Sequence, residues 1–133
     1  MRFMLMMNMP HAAGDYKINE WKPEAFNAHI QFMMDLNREL TKAGELVDAQ
    51  GLAVPAQAKI VRYGKGGGPI VSDGPFAETK EFLAGFWIVE VETPTRAYEI
   101  AAKASSAPGP DGNPLVIPIE VREVMHAPPP REG

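Results

Sequence analysis

The chain has 133 residues, enough for one hydrophobic core and a single domain, with no room for a second. Its net charge of −4, with the signs interspersed, excludes the clustered basic face of a direct nucleic-acid binder. The absence of cysteine excludes disulfides and thiolate chemistry and fits a reducing cytoplasm.

Arg2 to Met9 opens the chain with apolar residues on both alternating faces: Phe3, Leu5, Met7 and Met9 on one, Met4 and Met6 on the other. Such a strand belongs inside a sheet covered on both sides. Asn8, Pro10 and His11 interrupt the run too early for a secretory signal, and no other stretch is long and apolar enough to span a bilayer. Five of the eight methionines fall in the first nine residues, where they mark an adaptable apolar surface.

After a turn-rich segment from Pro10 to Glu20, Pro23 predicts the first position of a helix, with Glu24 favourably placed at its positive end. Phe26, Ile30, Met33, Leu36 and Leu40 form its apolar stripe, and Lys42 and Gly44 close it. Leu46 to Leu52 and Ala58 to Tyr63 read as short strands, and Gly64 to Pro69 as the loop of a hairpin that returns through Ile70 and Val71. That glycine-rich loop contains Lys65 but lacks P-loop spacing, a Ser or Thr after the lysine, and a following helix, so it is no phosphate cradle.

Gly85 to Glu92 is a second strand apolar on both faces. Thr93 and Pro94 then open a second helix with Ala97, Ile100, Ala101 and Ala104 inward. Ser105 to Pro114, rich in proline and glycine, predicts an irregular loop, and Leu115 to Val124 a last strand in which Pro118 marks an edge or bulge. The domain is thus expected over residues 1–124, with a proline-rich flexible tail over 125–133.

Strand, helix, short strands, strand, helix, strand is the split βαβ order. It predicts a ferredoxin-like α+β fold, with two helices on one face of an antiparallel sheet and an inserted hairpin. The other sheet face is apolar too, and the expected cover is a second copy, giving a homodimer through the sheet face.

The string most able to carry function is Asp73-Gly74-Pro75-Phe76-Ala77-Glu78-Thr79-Lys80-Glu81. Asp73 suits a turn in which its carboxylate accepts backbone N–H groups, Phe76 can anchor the loop, and the charges after it face solvent or a cleft. A solvated turn is one reading; the other is a loop presenting Asp73 and Glu78 to a ligand beside Trp87, with Arg122 holding an anionic group. A carboxylate shielded from water beside an aromatic ring would have its pKa raised toward the range useful for acid–base work.

This string resembles the signature of the DGPFAETKE branch of the YCII-related family. Met1-Arg2-Phe3-Met4, Leu40 to Gly44, Ala84 to Trp87 and Ile119 to Arg122 add weaker matches along most of the chain. The resemblance implies a ferredoxin-like subunit in a dimeric α+β barrel with a pocket beside it. It also implies that family members are of unknown function, some of them accompanying extracytoplasmic-function sigma factors. More distant members carry a helical His paired with an Asp, proposed as an acid–base dyad. Counted back from Gly44, that position falls on Met33, one turn from His29.

His29 is therefore expected to be structural, packed against Phe26 and Met33 or turned to solvent, with no carboxylate close. His11 and His126 are dispersed, and no metal site is expected. The functional expectation is a cofactor-free acid–base enzyme for a small anionic or aromatic molecule, with Asp73, Glu78, Trp87 and Arg122 as pocket residues. The alternative is a non-enzymatic ligand-binding or accessory protein of sigma-factor-dependent transcription.

Overall fold

In a computed structural model, the structure describes residues 1–10, 20–53, 55–74, 81–126 and 130–131. Strands β1 (Arg2–Pro10), β2 (Leu46–Gly51), β5 (Glu81–Glu90) and β6 (Ile119–Glu123) form one antiparallel sheet in the order β2-β5-β1-β6. Helices α1 (Pro23–Lys42) and α2 (Pro94–Ser105) share a single buried cluster with one face of that sheet. Strands β3 (Lys59–Tyr63) and β4 (Pro69–Asp73) stand apart as a two-stranded sheet. The order is that of the ferredoxin-like α+β fold, with the hairpin inserted between β2 and β5.

Alternation along β1 explains its central place. Phe3, Leu5 and Met7 point into the helical layer and are buried, whereas Met4 and Met6 on the other face are half-buried. Leu5, with no exposed surface, sits in register between Trp87 of β5 and Val121 of β6. Gly85 faces Gln50 and Gly51 so closely that a Cβ there would stand 2.9 Å from the Gln50 carbonyl oxygen. Only glycine lets β2 approach β5 at this point.

The helix ends follow the predicted chemistry. Lys22 is extended before Pro23, and α1 ends in a Schellman motif: Gly44 adopts φ 72°, its N–H reaches the Thr41 carbonyl, and Glu45 N–H reaches that of Leu40. Thr93 Oγ1 accepts the Arg96 N–H at 3.3 Å and caps α2, whose buried residues are Ala97, Ile100, Ala101 and Ala104, as expected.

Three details depart from expectation. The buried side chains of α1 are His29, Leu36 and Leu40, while Phe26 and Ile30 remain 38% exposed. The first turns of α1 stand over an open cavity rather than over packed sheet, so the apolar stripe has nothing to bury against there. Strand β5 starts earlier, at Glu81, and its ladder with β1 shifts by a bulge at Met7/Asn8. Strand β6 starts only at Ile119: Val116 has φ 56° and Pro118 offers no N–H, so residues 115–118 leave the ladder while Ile117 stays buried in the core.

The expected irregular loop is internally bonded. Gly109 N–H reaches the Asn113 carbonyl, Leu115 N–H that of Ala107, and Asp111 accepts both the backbone and side-chain N–H groups of Asn113. Those donors hold the Asp111 carboxyl below its usual range. Of the expected tail, residues 127–129 and 132–133 lie outside the described residues.

Glu45 ties the two helices together. Its two carboxylate oxygens accept from Arg96 Nε and a terminal nitrogen, both at 2.8 Å, and this pairing holds the Glu45 carboxyl below its usual range. A depressed folded-state pKa contributes stability above the unfolded value, and that contribution is lost as pH falls through the folded value. Glu45→Gln is therefore expected to lower the melting temperature near neutrality. Melting curves of both proteins from pH 7 toward pH 3 should converge in acid.

Candidate functional site

Beneath the first half of α1 the sheet leaves a cavity of about 510 Å³, within the range of small-molecule sites. Met7 and Met9 come from β1, Phe82 and Ala84 to Trp87 from β5, and Ala49 to Gly51 from β2. Leu52 follows β2, and His29, Ile30, Met33 and Asn37 form the roof from α1. Trp21 closes the end before α1, and Leu115 and Ile117 close the side toward the bonded loop. The bulge in β5 and the absence of a side chain at Gly85 help to open this end of the sheet.

No Asp, Glu, Lys or Arg lines this space among the described residues. Its polar members are His29, Asn37, Gln50 and the Trp87 indole, and each has a defined role. Trp87 Nε1–H donates to Asn37 Oδ1 at 2.8 Å. Gln50 Nε2 donates out of the cavity's line to Asp48 Oδ1 at 3.0 Å.

His29 is the one buried polar residue among the described residues, 8% exposed, and its Nδ1 lies 3.0 Å from the Pro108 carbonyl oxygen. A carbonyl can only accept, so Nδ1 carries a proton, and in the tautomer that this selects Nε2 is the lone-pair acceptor. Trp21 meets the ring edge to face, with centroids 5.4 Å apart. The loop between α2 and β6 thus sets the tautomer of a histidine 79 residues earlier in the chain.

A profile of the YCII-related domain matches residues 1–108. The chain belongs to the YCII-related family. An uncharacterized protein of Rhizobium meliloti (strain 1021) is similar to it, 32% identical over 102 residues that cover 77% of each chain. The family match stops before Leu115 and Ile117, so part of the cavity wall lies beyond it.

Of the four pocket residues expected in this family member, Trp87 lines the cavity. Glu78 lies outside the described residues. Asp73 sits at the end of β4 with its carboxylate on Lys59 Nζ at 2.6 Å and its side chain 91% exposed. The turn in which it was expected to accept backbone N–H groups runs into residues 75–80, outside the described residues. Arg122 projects from the sheet face away from the helices, with its nearest carboxylate, Glu120, 3.9 Å away. It cannot hold an anion beside Trp87, which points into the helical layer.

No carboxylate bonds His29 among the described residues, and its ring meets the Pro108 carbonyl and Trp21 rather than turning to solvent. The sequence marks His29 as structural because the helical histidine position of the more distant members falls on Met33. The available signal was the polar pair His29 and Asn37, which shares a helix line with Met33 at four-residue steps. His126 is exposed, His11 lies outside the described residues, and no metal-holding cluster exists among the described residues.

Asp73→Ala is expected to leave the melting temperature and ligand binding unchanged, since its ion pair is exposed on the hairpin. Parallel thermal melts and fluorescence titrations of the variant check both.

Proposed function

We propose that this protein takes a small, uncharged, largely aromatic or aliphatic molecule into the cavity under α1, with His29 as its acid–base residue. The observation that carries this reading is a buried histidine of defined tautomer in a space lined by no charged side chain among the described residues. An ionised ligand would lose its hydration there without a counter-charge. The chemistry open to the site is transfer of a proton from one atom of the bound molecule to Nε2 and from there to another atom of it, as in an isomerase, or to the group that departs as its bond breaks, as in a lyase.

The subunit acts as a homodimer through the outer sheet face. Two rows cross that face in register, Asp48-Ile88-Met4-Arg122 and Gln50-Phe86-Met6-Glu120. Each has an apolar centre and polar ends, and the first has opposite charges at its two ends. A two-fold axis parallel to the strands would set Asp48 of one copy against Arg122 of the other. The 73–81 string supports placement in the DGPF branch, and the cysteine-free composition supports a cytoplasmic location.

Both tryptophans of the chain line the cavity, so intrinsic fluorescence reports occupancy directly. Biphenyl is expected to change the emission and raise the melting temperature, benzoate to do neither, and Ala84→Phe to abolish the biphenyl response. An unaltered emission and melting temperature with biphenyl would overturn the reading.

A further inference from the structure

The polar groups of the cavity are arranged so that its two ends differ in kind. The Trp87 indole can only donate, so the atom of Asn37 that it meets is the amide oxygen, and Asn37 Nδ2 is left as a donor. His29, with Nδ1 committed to Pro108, is left with an acceptor. Neither remaining atom has a hydrogen-bond partner among the described residues. Both residues line the cavity from α1, with Met33 midway between them on the same line.

His29 and Asn37 are eight residues apart on one helix, which places their Cα atoms roughly 12 Å apart along the axis. Allowing a hydrogen bond of about 3 Å at each end, the two polar atoms of a ligand spanning them lie roughly 6 Å or more apart. Between these ends the walls are apolar: Met33 above, with Met9, Phe82 and Ala84 below.

We infer that the ligand class is an elongated, uncharged molecule with an apolar middle, carrying a hydrogen-bond donor for His29 Nε2 at one end and an acceptor for Asn37 Nδ2 at the other. Hydroxylated aromatic ketones are of this kind, and simple hydrocarbons and carboxylates are not. The inference rests on the cavity being a ligand site, and its test separates the two claims. Molecules with a single polar end satisfy one group and leave the other without a partner, and each missing bond to a desolvated group costs about tenfold in affinity.

The test is fluorescence titration with four neutral probes: biphenyl, 4-hydroxybiphenyl, benzophenone and 4-hydroxybenzophenone. The expected order places 4-hydroxybenzophenone tightest, by about tenfold over either singly polar probe. His29→Phe should remove the gain from the hydroxyl and keep that from the carbonyl, and Asn37→Leu should do the reverse. Biphenyl, which leaves both polar groups without a partner in the wild type, should bind each variant at least as tightly, and that retained binding reports that the cavity has kept its shape. Four probes of equal affinity, or a hydroxyl preference that survives His29→Phe, would overturn the polarity while leaving the cavity a binding site. Failure of every probe to bind wild-type protein would instead overturn the site itself.

Discussion

Leu5→Ala is expected to destabilise the fold by about 3 kcal/mol, the range found for leucines cut back to alanine in a core that cannot collapse around the gap. Leu5 has no exposed surface and lies at the crossing of the sheet's centre with both helices, between Trp87 and Val121. Strand β1 is hydrogen-bonded on both sides, by β5 and by β6, so its backbone has little freedom to close the void. Urea unfolding at fixed protein concentration should show a lower midpoint with an unchanged slope. A midpoint within error of wild type would mean that the core packs elsewhere than on this row.

Met6→Asp is expected to convert the proposed homodimer to monomer. Met6 stands at the centre of the outer sheet face, in register with Phe86 on one side and Glu120 on the other. An aspartate there would be buried without a cation and beside an existing carboxylate, which costs several kcal/mol in an interface. The residue is only half-buried in the single subunit, so the fold itself should tolerate the change far better than the assembly does. Light scattering at micromolar concentration should give dimer mass for wild type and monomer mass for Met6→Asp. Val61→Asp, on the exposed hairpin, should leave the dimer intact. A wild-type protein that scatters as a monomer would count against the interface.

The elements that the sequence exposed most clearly were those whose own chemistry sufficed to define them. Thr93-Pro94 and the glycine at position 44 mark helix ends by local hydrogen bonding alone, and the alanine stripe of α2 follows one period without interruption. The α1 stripe misled because its first half faces a cavity: periodicity records which residues share a line, not whether anything fills the space beneath them. Residues 115–118 misled for the opposite reason, since Leu115 and Ile117 are apolar at strand spacing yet pack from an irregular segment.

The site was harder to read than the fold. Its histidine takes its tautomer from a carbonyl 79 residues away, and no local pattern encodes such a meeting. The conspicuous charges of Asp73 and Arg122 drew attention because charge is easy to see in a sequence. In the structure, Asp73 lies on the hairpin and Arg122 on the face opposite the cavity. Trp87 was legible only as the aromatic that follows the acidic string, and it lines the cavity because on β5 it faces the helical layer.

The separate hairpin has a consequence in time rather than in space. A two-stranded sheet has no third strand to share its hydrogen bonds, and by itself such a unit is marginally stable in water. Val61, Tyr63, Ile70 and Val71 all keep more than half of their surface exposed, so little apolar burial opposes its opening. The chain therefore holds two clocks. The ladders of β1 with β5 and β6 part only when the whole core does, while β3 and β4 can separate and re-form many times within the lifetime of one folded molecule.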